Sequence, residues 1–464
     1  MNKRPAAHIG CSGFPLGGNS RRRERGLASL IVVAVLFFIV SLVAAYTNRN
    51  LIFEQRTSGN QYRSTQAIEA AEAGVEWALA MLNNGRLDAN CAPTADAGQS
   101  SFRQRYLSTS ANTGLIVPTI DDGSGAPRAM TTADPQWALG EGNLWPSCVF
   151  DGTDWSCSCQ SGAGAPAIVA PDASTGVFPA FRVRFVRAST TRPEVVRLEV
   201  NGCTRLENDC LSFPATAVAG EGRASVRVLV ALQSALPSIP TAALTVRGDL
   251  DDADDIRVFN ATPGSSGIAV TAGGAINGFD VDDVHLGGAP GTPVDAALLL
   301  APDPALGVGA VPDGPRLFAA IFGASDVTYR DQAATLVLDC NAGCDADFVR
   351  GVAARNPGRI LWAQGDVDLD AGGPLGAPND PVLLVVEGGL NVAIPVYGLI
   401  HGRDANWLAT GAATGVIRGA MIAENDLDLS GGASFSVVHD AQVLSRLRWR
   451  HGSFVRVPGS WRDF

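Results

Sequence analysis

The sequence predicts an α+β chain: a long N-terminal helix, transmembrane then amphipathic, packed on an antiparallel sheet and followed by a mainly β C-terminal domain. Three observations carry this. Residues 27–46, LASLIVVAVLFFIVSLVAAY, contain no charge, and no proline interrupts 47–84. Apolar and polar residues alternate over 179–188, 194–200 and 224–232. Beyond Leu236, short apolar runs are separated by Gly, Asn and Asp turns.

Composition narrows the function classes. The chain has 464 residues, 52 Gly, 27 Pro, 9 Cys and a net charge of −11. A hydrophobic content of 46 % excludes a disordered chain. The acidic balance argues against a nucleic-acid binder, and none is expected as a partner. Lys3 is the sole lysine, so no phosphate loop or Schiff-base site exists beyond it.

The first element is marked by charge. Residues 1–26 hold Lys3, Arg4, Arg21, Arg22, Arg23 and Arg25 against Glu24, a net +5 that leaves −16 for the remainder. A helix of the next twenty residues, Leu27 to Tyr46, spans about 30 Å, the thickness of a hydrocarbon core. Its basic flank stays cytoplasmic, which places the rest of the chain outside. Residues 47–84 are rich in helix formers. Ile68, Ala71, Val75, Leu79 and Leu82 fall at spacings of three and four, one apolar stripe. Asn83-Asn84-Gly85 is a stop signal. One helix, with a bend near Gly59, is therefore expected over 27–83. A secretory signal peptide cleaved after Val43-Ala44-Ala45 is an alternative, but it would have no reason to continue as an amphipathic helix.

The stretch from Arg25-Gly26 through Ala28-Ser29-Leu30-Ile31 to Ala67-Ile68-Glu69-Ala70-Ala71-Glu72-Ala73-Gly74 resembles the N-terminus of PilX-type minor pilins of type IV pili. The resemblance implies a prepilin leader, 1–26, cut between Gly26 and Leu27 by prepilin peptidase, with N-methylation of Leu27. It implies a filament and membrane helix that includes Leu27, Ile31, Leu36, Phe37, Phe38 and Leu42. Other pilins, minor pilins and the inner-membrane assembly platform are the implied partners. The implied location is the inner membrane, with a single span and the C-terminal part in the periplasm, then the pilus on the cell surface. The implied role is structural, in assembly and adhesion, and not catalytic. Two departures from major pilins stand out: Leu27 replaces the usual Phe, and Ile31 replaces the Glu at mature position five. They fit a tip or initiating subunit. A type II secretion pseudopilin is the alternative in the same class.

Residues 84–235 read as a head with a long loop insert. Phe181, Val183 and Phe185 face one way and Arg182 and Arg184 the other; Val196, Leu198 and Val200 oppose Arg197 and Glu199; Val226, Val228 and Val230 repeat the pattern. Arg192-Pro193 turns between the first two half-buried strands. Eight cysteines follow Leu27, an even set that reads as disulfides in an exported chain. Cys203 with Cys210 and Cys340 with Cys344 are the candidate pairs. Cys91, Cys148, Cys157 and Cys159 stay unassigned; zinc at Cys148, Cys157 and Cys159 is the alternative, although no His is near.

Residues 236–240 read as a linker and 241–464 as a Gly- and Asp-rich repeat domain. Blocks starting near Gly248, Gly365, Gly388 and Asn425 combine an apolar run, a turn, and Asp or Asn alternating with Leu or Val. Coils of a β-helix or solenoid fit best; a β-sandwich is the alternative. Asp366-Val-Asp368-Leu-Asp370 resembles the start of a calcium loop, but Gly372 is one place late and Ala377 stands where Glu is needed. Asp249, Asp251, Asp252, Asp254 and Asp255 read as a solvated acidic loop. No cofactor or metal is expected. An anchored β-helix enzyme acting on surface glycans through Asp366 and Asp368 is a further alternative, yet neither Gly-x-Ser-x-Gly nor His-Glu-x-x-His occurs, and His285, His401, His439 and His451 are scattered. The ending FVRVPGSWRDF reads as a strand capping the solenoid edge.

Overall fold

The computed structural model describes residues 24–160, 162, 178–189, 191–216, 218, 221–251, 256–261, 267–278, 286–287, 296–306, 314–403, 415–428 and 435–463. Residues 1–62 form one unit and 63–464 a second, compact one. Helix α1 runs from Glu24 to Leu82, unbroken through Gly59. In the first unit its apolar side chains from Leu30 to Val43 are all exposed.

Within the second unit, α1 buries Ala67, Ala70, Ala71, Val75, Ala78 and Leu82. The buried line is thus set by small residues that let the helix approach the sheet closely. Ile68, expected on the stripe, is 36 % exposed. Beneath the helix lies a meander of β1 (Ser147–Phe150), β2 (Trp155–Ser158), β3 (Ala180–Arg187), β4 (Val195–Cys203) and β5 (Arg223–Ser234). Its order is β5–β4–β3–β1–β2, antiparallel throughout. Phe181, Val183, Phe185, Leu198, Val200, Val226 and Val228 supply the apolar face against α1. The opposite face keeps the expected half-burial along β5, where Arg223 and Arg227 are exposed, but is covered over β3 and the middle of β4. Arg182, Arg184 and Glu199 are buried there. Glu199 takes salt bridges from Arg184 at 2.5 Å, Arg197 at 2.9 Å and Arg227 at 3.3 Å, and Arg182 donates to Ser147 and Asn208, so the covered charges are bonded.

After the head the pairing changes hand. The strands are β6 (Leu244–Val246), β7 (Ile256–Phe259), β8 (Val270–Ala272), β9 (Thr335–Asp345), β10 (Ile360–Leu369), β11 (Val382–Val386), β12 (Val396–Gly402), β13 (Val416–Ala423) and β14 (Phe435–His439). Every strand pair between 244 and 439 is parallel among the described residues. Ile360 lies beside Leu383, Leu383 beside Leu399 and Leu399 beside Ala420, one step per coil of about twenty residues. The antiparallel sandwich does not form. The stack also does not follow chain order. Leu244 of β6 sits beside Met421 of β13, and Val258 of β7 beside Val437 of β14. The first coils therefore continue the last ones.

Alternate residues along each strand enter two cores. Leu361, Ala363, Leu384, Val386, Ile400 and Met421 point into the stack. Ile360, Trp362, Leu383, Val385, Leu399 and Ile422 point outward, under Phe318 and Phe322 of a helix at Gly314–Phe322, Tyr329, and Leu444 and Leu447 of a helix at Ala441–Arg450. Strands buried on both faces need continuous apolar runs, which explains PVLLVV and GLI. Asp440 caps the last helix through the amides of Gln442 and Val443.

The tail was expected to cap the repeat domain. It returns to the head instead: β15 (Gly452–Arg456) pairs antiparallel with β5, Gly452 opposite Ser234 and Phe454 opposite Leu232, and β16 (Arg462–Asp463) pairs further along β5. Asn83, just past α1, donates to the Phe454 carbonyl at 2.9 Å and accepts the Phe454 amide at 2.8 Å.

Candidate functional site

Two features are candidates: the uncovered N-terminal helix, and the polar residues of the stack. The helix backbone includes Gly26 and Leu27. Ile31, Leu36, Phe37, Phe38 and Leu42 are all more than half exposed, Phe37 at 74 %. An 18-residue window of this helix has a mean hydropathy of 2.8, and none of it is buried. A soluble chain would not leave such a surface uncovered. The helix is long and apolar enough to cross a membrane or to pack among like helices.

The eight described cysteines form four bonds: Cys203–Cys210, Cys340–Cys344, Cys91–Cys159 and Cys148–Cys157. Cys148 and Cys157 face each other across the β1–β2 hairpin. Cys91–Cys159 ties the loop after α1 to the end of β2. Cys340–Cys344 closes an irregularity in β9 where its register against β10 shifts. The three residues considered for zinc are thus all taken up in disulfides.

The acidic blocks hold neighbouring coils together. Val367 and Leu369 point inward, while Asp366 and Asp368 are exposed. The Asp366 carboxylate accepts the amide of Gly389 at 2.7 Å, and Asp368 accepts the Asn391 side chain at 2.8 Å. At the other end Asp426 accepts the Asp249 amide at 2.9 Å, Asp249 accepts the Ala275 amide at 2.6 Å, and Asp251 accepts the Asn277 side chain at 2.8 Å. Asp366, Asp426 and Asp249 thus cap the next coil's backbone, while Asp368 and Asp251 hold its asparagine side chains. A Cβ on Gly248 would collide with Asp426 Oδ1, and one on Gly274 with Asp249 Oδ1, so glycine precedes the turn where the carboxylate arrives. The degenerate repeat was legible; its meaning as a ladder was not, because the acceptor lies one coil away. Asp252, Asp254 and Asp255 lie outside the described residues.

The histidines do not converge. His285 lies outside the described residues. His439 Nε2 sits 3.0 Å from the Pro240 carbonyl. His401 is fully buried between Phe318 and Phe322, its Nε2 3.4 Å from Glu424 Oε1. Arg403 bridges the same Glu424 at 3.4 Å to Asp326 at 2.8 Å. Burial, then the Arg403 charge, pushes His401 down to about 3, and burial pushes Glu424 up to about 7. No cluster of three or more His, Cys, Asp or Glu suited to a metal occurs among the described residues.

Comparison with known proteins points to the helix. Residues 25–76 match the PilX N-terminal family model. No curated protein matches the chain. Among solved structures, the competence-associated pilin ComZ from Thermus thermophilus is 13 % identical, with 87 % of this chain and 97 % of that one covered and a TM-score of 0.23, a likeness too low to carry any statement about the head. The family match falls on the exposed apolar run and the start of the buried stripe. On that N-terminal segment, residues 25–76, the chain is similar to the PilX N-terminal family.

Proposed function

We propose that the chain is a structural subunit that primes or completes type IV pilus assembly, with adhesion as a second task of its head. The observation that carries this reading is the PilX-type segment lying on a helix whose apolar surface is uncovered from Leu30 to Val43. In this reading the basic leader stays cytoplasmic and Leu27–Tyr46 spans the inner membrane. The head and its coils stand in the periplasm. Prepilin peptidase cuts between Gly26 and Leu27, and the helix then leaves the membrane platform to pack among other pilin and minor-pilin helices. Ile31 in place of an acid favours a terminal position, because a repeated subunit uses that acid to meet a neighbour's amine. Four disulfides fit an oxidising compartment.

Mass spectrometry of the protein from membranes and from sheared filaments tests this. The expected terminus is N-methylated Leu27. An intact residue 1, or cleavage after Ala45, overturns the reading. A deletion strain separates the two apparatus: loss of surface pili supports the pilus role, and loss of secretion with intact pili supports a pseudopilus instead.

A further inference from the structure

Where the loop after α1 meets the coils, two adjoining cavities of about 250 and 350 Å³ share Pro357, Gly358, Asp380 and His451 in their walls. Arg86 and Arg359 line the first, Arg103 and Arg450 the second. The charge is one-sided. Arg350 and Arg128, also in the walls, are paired with Asp347 and with Asp122 and Asp134. The other four have no ion pair among the described residues. Among the lining residues the acid is Asp380, with the Arg86 and Arg450 charges acting on it.

The four guanidinium groups are fixed by backbone carbonyls. Arg103 donates to Leu82 at 2.8 Å and Gly358 at 3.1 Å, Arg359 to Thr335 at 3.2 Å, Arg86 to Ala354 at 2.6 Å and Arg450 to Thr109 at 3.2 Å. These bonds hold the groups in place but leave the charge unbalanced. Both Nη atoms of Arg450, Nη2 of Arg86 and Nη1 of Arg359 make no hydrogen bond among the described residues. His451 is buried and lines both cavities. In a chain of net charge −11, four unpaired guanidinium groups around one carboxylate form a locally cationic hollow. Pre-positioned guanidinium forks with spare donors match the oxygens of a carboxylate or phosphate. The crowding has a cost: burial, then the Arg359 charge, lowers Arg103 to about 9.

We propose that this seam binds a small oxyanion-bearing ligand, a phosphate or a sugar carboxylate, held by Arg86, Arg103, Arg359 and Arg450. Its size admits roughly one sugar ring or one phosphoryl group.

Thermal melting of the full-length protein in detergent, at constant ionic strength set with sodium chloride, tests it with inorganic phosphate in one arm and galacturonate in the other. A saturable rise in Tm in one arm identifies the oxyanion. Arg450→Gln is expected to weaken that apparent affinity at least tenfold. Asp380→Asn, which removes the competing carboxylate, is expected to strengthen it at least threefold. No saturable rise with either anion overturns the proposal, as does an unchanged titration in Arg450→Gln. If Arg450→Gln fails to melt cooperatively, Arg86→Gln carries the same test with the same expected loss.

Discussion

The head and the coil stack solve the same problem, securing strand edges, at opposite ranges. The head sheet closes through partners far apart in sequence: β5 needs β15, some 220 residues on, and α1 needs Asn83 bonded to Phe454. The stack repeats one local device, a turn carboxylate on the next coil's amide, between Asp366 and Gly389, Asp426 and Asp249, and Asp249 and Ala275. A long-range edge is lost at a single position. A laddered one degrades by increments.

The largest test removes a long-range partner. Phe454 is buried in the head core and lies under the Arg103 guanidinium. Phe454→Ala is expected to destabilise the head by about 3–5 kcal/mol. Hydrogen exchange should then rise in β5 before it rises in β10–β13; equal loss in both would break the distinction. Disulfides sharpen it next. Cys91–Cys159 closes a loop with a sequence separation of 68, Cys340–Cys344 one of 4. On chain entropy, replacing the first pair by Ser costs about 4 kcal/mol and the second about 2 kcal/mol, read from denaturant midpoints. Within the ladder, Gly274→Ala drives Asp249 off its amide acceptor position and should cost about 1–3 kcal/mol, with the loss confined to coils 244–276.

The smallest effect is a slope. His401 is held neutral in the folded stack, so below its ordinary range the unfolded chain takes up a proton that the folded one refuses, and stability falls as pH drops from about 6.5 toward about 3. Glu424 has the opposite sign: its folded form keeps a proton from about 4.5 up to about 7, so its contribution weakens as pH rises through that window. Between pH 4.5 and 6.5 the two oppose each other. Relative to the unsubstituted chain, Glu424→Gln should make the rise of stability with pH steeper by up to about 1.4 kcal/mol per pH unit, and His401→Asn shallower by as much. Equal slopes in all three would show that the two groups do not titrate as buried.

Much of this was legible where the signal is local. The unbroken helix, the alternation that builds β3, β4 and β5, and the turn-bounded runs of the stack all follow from periods of 3.6 and 2. What was illegible depends on distance. Nothing in the sequence places Leu244 against Met421, because parallel neighbours can lie any number of coils apart. Asp366 and Asp249 read as solvated acids since their acceptor roles appear only once the next coil is stacked. Arg184 and Glu199 read as an exposed face until the segment that covers them is in place. The cationic seam is assembled from residues 86, 103, 359 and 450, which share no motif.

Ser234 and Gly452 face each other on adjacent strands. The chain leaves the head at the first and re-enters it at the second, so the two covalent joins between head and stack lie a strand spacing apart, about 5 Å. It is a cassette. A tight turn joining those two positions would regenerate a β5–β15 hairpin and a complete head without it.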